Sequence, residues 1–178
     1  MPVLTATVVL VGFLCILNLI LTFGVMRRLR EHTDLLARRH EPTVEVGTEI
    51  AEFTASTADG EPIADDLISE ETVVAFFTPG CTSCLDKLPK LVAHARTLGR
   101  ERVLAVIVGT ADAAAPLVTA LRPVALVVVE EEGHGGPLTS AFMVRAYPTL
   151  MSVAPGRAGR LVVSASTVDL DRPAPVSA

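Results

Sequence analysis

Two cysteines stand close together in the stretch Phe76-Phe77-Thr78-Pro79-Gly80-Cys81-Thr82-Ser83-Cys84. An apolar run, Thr72 to Phe77, leads into the pair and predicts a buried strand, and residues 85–98 after it have the pattern of an amphipathic helix. The pair therefore sits where a strand ends and a helix begins. Free N–H groups and the positive end of the helix dipole favour a thiolate at such a place. The second cysteine, one turn further on, can close a disulfide on the first or attack a mixed disulfide formed there, as a redox dithiol requires.

Two other uses of a Cys-x-x-Cys pair have to be considered, half of a zinc site and two structural thiols. A structural zinc ion needs four ligands, and no second ligand pair is present. The remaining cysteine, Cys15, lies inside an apolar N-terminal segment. The setting between a strand and a helix favours redox use over both alternatives.

Two prolines extend the pattern. Pro89 follows Cys84 by five residues and lies inside the predicted helix, where a proline removes a hydrogen bond and kinks the helix. Far downstream, Ala146-Tyr147-Pro148-Thr149-Leu150 stands where a short helical pattern, residues 138–144, gives way to a strand. Together these motifs resemble the active-site helix and the cis-proline loop of the thioredoxin superfamily, and the resemblance covers about residues 46–164.

The resemblance implies an α/β thioredoxin-like fold, with a central mixed sheet flanked by helices and an N-terminal hairpin extension. It also implies thiol–disulfide oxidoreductase activity, with Cys81 as the attacking thiolate and Cys84 as the resolving thiol. Turnover would need no organic cofactor and no metal. The expected partners are protein thiols or disulfides and an upstream dithiol donor, and no nucleic-acid partner is expected.

The substrate side of the site is also implied by this resemblance. Pro148 would be cis and would face the two cysteines. Tyr147 would offer backbone hydrogen bonds to a bound thiol substrate. Pro79 and Gly80, directly before Cys81, complete the expected substrate-binding residues.

The N-terminal segment predicts a membrane anchor. The chain has 178 residues, half of them apolar, and Val3 to Met26 carries no charge. A helix of that length, rising ~1.5 Å per residue, spans the ~30 Å hydrocarbon core of a bilayer. A cleaved signal peptide is the alternative, but no Lys or Arg precedes the run and Phe23-Gly24-Val25-Met26 is a poor cleavage site. We expect residues 1–26 to remain as an uncleaved, single-pass anchor.

Two signals disagree about the side of the membrane on which the domain lies. A basic stretch, residues 27–43, follows the span and is expected to form a stalk. By the positive-inside rule, this stretch would be cytoplasmic. The resemblance to membrane-anchored, thioredoxin-like proteins of bacteria (TlpA/MauD-like) implies an exocytoplasmic domain instead, and this second expectation is preferred.

The remaining pattern predicts the order of elements in the domain, residues 44–166. Asp59-Gly60 is a hairpin turn signal. Residues 103–108 and 124–129 predict strands buried on both faces, with a crossover helix at residues 112–121 between them, which implies a parallel core. A hairpin, residues 150–153 and 160–165, follows. Residues 167–178 are expected to form a flexible tail.

The chain ends too soon for the helix that usually closes one face of a thioredoxin-like sheet. We therefore expect an uncovered apolar face beside Leu161 and Val163, through which the protein could self-associate or bind a membrane partner.

Several positions depart from the family pattern. Ala75 stands where thioredoxin has a buried acid, Gly80 stands in place of a tryptophan, and Gly109 follows the next strand where some relatives place a glutamate. No usual proton acceptor for Cys84 is therefore visible. Glu130, at a predicted strand end, is a candidate, although a solvated loop charge is the preferred interpretation.

Two other functions remain open. Thr78, three residues before Cys81, matches part of the peroxiredoxin motif, so a peroxiredoxin-like thiol peroxidase is an alternative; Val74 replaces the proline of that motif. The loss of the buried acid and of the tryptophan motivates the other alternative, a non-catalytic binding or assembly module that keeps the fold.

Overall fold

A computed structural model of the chain describes residues 4, 10, 12–14, 16–18, 44–131, 135–156 and 159–171. From residue 44 onwards the described residues belong to one compact unit, Pro42–Ala178. Most of the predicted anchor (residues 3–26) and the whole predicted stalk (residues 27–43) lie outside the described residues, and so does the end of the tail, residues 172–178. The described residues between 4 and 18 are helical. Within the part of the chain that is described, no helix has both the length and the apolar character needed to cross a membrane.

The described strands form a hairpin and a central mixed sheet. The hairpin consists of β1 (Thr54–Ser56) and β2 (Pro62–Ala64). The sheet contains β3 (Thr72–Phe77), β4 (Val103–Val108), β5 (Leu126–Glu130), β6 (Thr149–Pro155) and β7 (Leu161–Ala165), and the connecting helices are α1 (Thr82–Leu98), α2 (Ala111–Leu121) and α3 (Pro137–Ala141). The strand order is β5-β4-β3-β6-β7, parallel from β3 to β5 and antiparallel for β6 and β7. The predicted α/β mixed sheet is confirmed.

The central strands β3 and β4 are buried along their whole length. Successive side chains of a strand point to opposite faces, so each strand contributes to two separate apolar clusters. On one face, Val74 and Phe76 pack with the N-terminal part of the domain and with α3. On the other face, Ala75 and Phe77 pack with α1 and α2. Covering both faces is what permits a continuous apolar run in β3.

The expectation of an uncovered face beside Leu161 and Val163 is wrong. Both side chains are only 1% exposed, and they pack in one cluster with Ile50 and Phe53. The backbone of residues 47–50 also pairs with β7, since the N–H of Ile50 donates to the carbonyl of Leu161 at 2.8 Å. The segment before β1 thus covers this edge and face, which removes the basis for self-association through it.

The chain after β7 contributes to the opposite face. Val168 and Leu170 pack against the cluster formed with α1 and α2. Asp171 forms an ion pair with Lys90 of α1 at 2.7 Å. The described part of the predicted tail therefore adds apolar contacts to the sheet face that α1 and α2 cover.

The hairpin turn at Asp59-Gly60 is present and is attached to the rest of the domain. Gly60 has φ +81°, a conformation that glycine adopts without strain. The N–H of Ala58 donates to the carbonyl of Val127 in β5 at 2.7 Å. Asp59 contacts the guanidinium groups of Arg100 and Arg122, and the hydrogen bond from Arg122 is the main cause that lowers the pKa of Asp59.

The covering role of the N-terminal segment can be tested with Ile50, whose side chain is 2% exposed. Ile50→Ala removes three buried carbons between the segment and β7, so we expect the free energy of unfolding of the full chain to fall by about 2 to 5 kcal/mol. Chemical denaturation followed by circular dichroism measures this change.

Val46→Ala is the matched control, since Val46 lies in the same segment but is 63% exposed. Its effect should stay within about 0.5 kcal/mol. Equal effects of the two variants would mean that the segment does not cover the sheet.

Candidate active site

The two cysteines lie where β3 passes into α1. Thr78 follows β3 directly, and its hydroxyl donates to the carbonyl of Val108 at the end of β4, at 2.9 Å. This bond ties the loop before the cysteines to the neighbouring strand. Cys81 then takes an extended conformation as the N-cap residue of α1. Its Sγ accepts a hydrogen bond from the backbone N–H of Cys84 at 3.2 Å, which is the interaction that an N-cap side chain supplies to the first turn of a helix.

Pro79 and Gly80 form the short bridge between β3 and Cys81. Gly80 is exposed and has φ +77°, which a residue with a side chain adopts only with strain. Pro79 packs closely on Gly109, where an added Cβ would lie 2.9 Å from Cδ of Pro79. A larger residue at 109 would therefore push this bridge away from the sheet.

The two thiols have different surroundings. Cys81 is half-buried, whereas the side chain of Cys84 is fully buried, and both cysteines are free. Burial is the main cause that raises the pKa of Cys84 to about 12, and the hydrogen bond and the charge of Cys81 raise it further. A backbone hydrogen bond from Thr78 and the charge of Lys87 act in the opposite direction. The sulfur of Cys81 is thus accessible, whereas the sulfur of Cys84 is buried and stays protonated as a thiol.

The loop before β6 reaches the first cysteine. The peptide bond between Tyr147 and Pro148 is cis, as the resemblance implies, and Pro148 is buried. The Sγ of Cys81 lies 3.8 Å from the carbonyl oxygen of Tyr147, to which the thiol donates. Cys81, Cys84 and Tyr147, which stand far apart in the sequence, are therefore brought together.

The loop is preceded by an unusual helix end. Met143 follows α3 with φ +52° and is 50% exposed. The N–H of Met143 donates to Ser140 and that of Val144 to Thr139, so the carbonyls at the end of α3 are satisfied. This pattern is normally completed by glycine, and it sets the direction in which the chain leaves α3 towards Tyr147.

Glu130 is not the solvated loop charge that the sequence suggested. It ends β5, is 5% exposed, and accepts hydrogen bonds from the backbone N–H of Leu138 at 2.6 Å and of Thr139 at 3.1 Å. The hydroxyl of Thr139 also donates to it. Any side chain at Gly136 would collide with the carboxylate. The sequence signal for this arrangement was the Gly136-Pro137 start of α3, which the sequence analysis did not connect with Glu130.

Tyr147 lies close to both the cysteine pair and Glu130. Its side chain is half-buried and contacts the apolar clusters on both faces of the sheet. Burial, followed by the negative charge of Glu130, raises the pKa of the Tyr147 phenol. Thr139, which donates to Glu130, is a further residue near the site that the sequence analysis missed.

Among the residues that the structure describes, no group of three or more His, Cys, Asp or Glu side chains is arranged to bind a metal ion. The chemistry that the geometry offers is that of a dithiol. One sulfur is accessible at a helix N-terminus, the second lies behind it, and a backbone carbonyl faces the first.

Comparison with known proteins gives structural matches only. No family model and no curated protein matches the sequence. The thioredoxin domain of a thiol-disulfide oxidoreductase from Bacteroides vulgatus is 14% identical, with 67% of this chain and 87% of that chain covered and a TM-score of 0.55. A thiol:disulfide interchange protein from Bacteroides sp. is 14% identical, with 69% and 81% covered and a TM-score of 0.54.

A thiol-disulfide oxidoreductase from Bacteroides fragilis is similar in the same way. It is 11% identical, with 61% of this chain and 84% of that chain covered and a TM-score of 0.52. The likeness of these three solved structures lies in the path of the backbone, since so few residues are identical. It confirms the resemblance drawn from the sequence at the level of the fold: this chain has the thioredoxin-like fold.

Proposed function

We propose that this chain is a membrane-anchored thiol–disulfide oxidoreductase that exchanges disulfides with protein thiols through Cys81 and Cys84. The observation that carries the proposal is the unequal pair at the start of α1, an accessible Cys81 that caps the helix and a buried Cys84 whose pKa is about 12. The similar solved structures are named as proteins of this activity, which supports the proposal.

For reduction of a client disulfide, the exchange has two steps. The Cys81 thiolate attacks one sulfur of the client disulfide, and the other client sulfur leaves as a thiolate and takes up a proton. Cys84 then loses its proton and attacks Sγ of Cys81, which forms the Cys81–Cys84 disulfide and releases the second client thiol. The client gains two electrons and the dithiol loses two. An external dithiol returns the pair to its reduced form, and no organic cofactor or metal is required.

Substrate contacts are assigned to the residues around Cys81. The carbonyl of Tyr147 lies against its sulfur, so a client chain lying there would meet the backbone of Tyr147 and Pro148. Pro79 and Gly80 directly precede Cys81 in the chain. These roles rest on position and on the resemblance to thioredoxin-like proteins.

The membrane part of the proposal rests on the sequence. The uncharged stretch Val3 to Met26 would hold the protein in the cell membrane as a single span. The redox domain would then act on the exocytoplasmic side in cell redox homeostasis, as in the anchored bacterial proteins that this chain resembles.

The peroxiredoxin-like alternative is disfavoured by the surroundings of Thr78. Its hydroxyl donates to the carbonyl of Val108 and thereby holds the loop in place. Val74, at the position of the missing proline, is completely buried in the sheet. The non-catalytic alternative predicts that the purified protein accelerates no disulfide exchange, so the assay below distinguishes it.

The unequal surroundings of the thiols predict the order of alkylation. At pH 8 about one Cys84 side chain in ten thousand is a thiolate, given a pKa of about 12. Iodoacetamide should therefore modify Cys81 first in the reduced full chain, and Cys84 should react only under denaturing conditions. Peptide mapping by mass spectrometry measures both sites. Preferential labelling of Cys84 would reverse the assigned roles.

Activity should require both cysteines, because each acts in a different step of the exchange. Cys81→Ser should lower catalysed reduction of insulin by dithiothreitol to the rate without protein, because the attacking sulfur is absent. Cys84→Ser should also lose turnover but should accumulate mixed disulfides at Cys81, whose protein clients can be identified by mass spectrometry.

Cys15→Ser serves as the matched control for loss of one cysteine and should keep the wild-type rate. A wild-type protein that accelerates no disulfide exchange, with insulin or with a small disulfide, would support the binding module instead.

The proposed anchor makes a separate prediction. The mature protein should begin before Val3 or at Met1, and it should stay in the membrane fraction after extraction with alkaline carbonate, because Val3 to Met26 remains in the bilayer. Sequencing of the mature N-terminus measures this directly. A start after Met26 would identify a cleaved signal peptide.

A further inference from the structure

The two loops that meet at Cys81 leave the sheet from neighbouring antiparallel strands. The ladder between β3 and β6 ends with the pair Phe76 and Thr149. The next residue on the side of β6 is Pro148, which has no N–H group to give to the ladder. Beyond this point the loop that leads to Cys81 and the loop that carries Tyr147 are therefore held by other hydrogen bonds.

A threonine hydroxyl closes the loop on the side of β6. Thr149 Oγ1 donates to the backbone carbonyl of Ala146 at 2.7 Å. Tyr147 and Pro148 lie between the two ends of this bond. The carbonyl of Tyr147, which faces Sγ of Cys81 at 3.8 Å, thus belongs to a closed turn.

A second threonine fixes the loop on the side of β3. Thr78 Oγ1 donates to the carbonyl of Val108 in β4 at 2.9 Å. The carbonyl of Thr78 accepts from the backbone N–H of Cys81 at 3.4 Å. Thr78 is thereby bonded to the neighbouring strand through its side chain and to Cys81 through its backbone. The position of Cys81 relative to β4 therefore depends on this hydroxyl.

We propose that Thr78 and Thr149 are positioning residues, which set the distance between Sγ of Cys81 and the carbonyl of Tyr147 from opposite sides. The assignment deepens the proposed function and rests on it. Each hydroxyl is bonded to a backbone carbonyl and acts through the loop that it holds.

A fixed distance matters more for a protein client than for a small disulfide. A client chain that reacts at Cys81 has to lie against the backbone of Tyr147 at the same time, so a displaced loop misaligns the reacting sulfur atoms. A small disulfide needs only an accessible Cys81. Partial unfolding, in contrast, removes active protein and lowers both rates by the same factor. The ratio of the two rates therefore reports on positioning and not on stability.

The experiment measures this ratio in a single turnover. The reduced full chain, freed of dithiothreitol, is mixed with insulin or with hydroxyethyl disulfide, and the loss of its thiols is followed by mass spectrometry after quenching with acid. Thr78→Val and Thr149→Val each replace a hydroxyl by a methyl group of similar size. Each should lower the ratio of the insulin rate to the hydroxyethyl disulfide rate about three- to tenfold, the factor that corresponds to the net contribution of one hydrogen bond. Thr78→Ser and Thr149→Ser keep a hydroxyl and should restore the ratio.

Thr97→Val is the matched control. The Thr97 hydroxyl also donates to a carbonyl three residues earlier at 2.7 Å, that of His94, but Thr97 is exposed near the end of α1. Its ratio should equal that of the wild type. Ratios in Thr78→Val and Thr149→Val that equal this control would overturn the proposal. A double variant whose ratio falls by the full product of the two single factors would overturn it as well, because one released loop already frees the distance.

The single tyrosine provides a readout that needs no turnover. The chain contains one tyrosine and no tryptophan, so its intrinsic fluorescence comes from Tyr147. The Tyr147 side chain is half-buried. Thr149→Val should therefore raise the acrylamide quenching constant at pH 7, whereas Thr97→Val should leave it unchanged. Equal quenching in the two variants would mean that the Thr149 hydroxyl does not hold the loop.

The two sets of results separate this inference from the proposed function. A wild-type protein whose thiols react with neither disulfide would reject the oxidoreductase, while the quenching of Tyr147 still tests whether Thr149 holds the loop. Reaction of the wild type with both disulfides, with equal ratios in Thr149→Val and Thr97→Val, would reject the positioning role alone. If Thr78→Val fails to fold, Thr149→Val decides with its own serine variant and control.

Discussion

The position of the dithiol depends on the burial of β3 on both faces of the sheet. Because Val74 and Ala75 are both completely buried, the strand can neither slide nor rotate without losing one apolar cluster. Its end at Phe77 is therefore fixed, and the bond from Thr78 to Val108 fixes the next residue as well. Only two residues then separate this rigid point from Cys81. The position of Cys81 is thus set by the sheet and not by the loop.

The sequence predicted the parts of the fold that are encoded locally. The bounds of β3 and β4 were predicted correctly because each is a continuous apolar run ended by polar or small residues. The start of α1 was placed at residue 85, although the helix begins at Thr82, because the cysteine pair itself forms its first turn. The covered edge of β7 was missed, since residues 47–50 pair with a strand more than a hundred positions away and carry no local sign of it. In the site, Cys81, Cys84 and Tyr147 stand in contiguous motifs. Thr139 and Glu130 meet only after α3 has folded back on β5.

The end of β5 shows why an acidic run was misinterpreted. Successive residues of an extended chain point to opposite faces. Glu130 turns to the side of α3, where it binds the N–H groups of Leu138 and Thr139, while Glu131 accepts from the N–H of Ala111 at the start of α2, at 3.0 Å. Each glutamate therefore satisfies donors at the N-terminus of a different helix, where a negative charge is favoured. A run of three acids suggested a solvated loop, yet one of its members fixes the helix that leads into Tyr147.

The pKa of Cys84 links the two steps of the proposed exchange. A thiol with a pKa of about 12 is a poor nucleophile, and no acid lies at Ala75 to accept its proton. Burial is the largest cause of this high pKa, but the hydrogen bond and the negative charge of Cys81 also contribute. When Cys81 enters a mixed disulfide, its sulfur carries no negative charge, so the effect by which that charge raises the pKa of Cys84 is lost. The backbone hydrogen bond from Thr78 and the charge of Lys87, which favour the thiolate, remain. In the proposed exchange, the pKa of Cys84 is therefore expected to fall at the step in which Cys84 attacks. Formation of the mixed disulfide would then ease the deprotonation of Cys84 in a chain that has Ala75 in place of the usual acid.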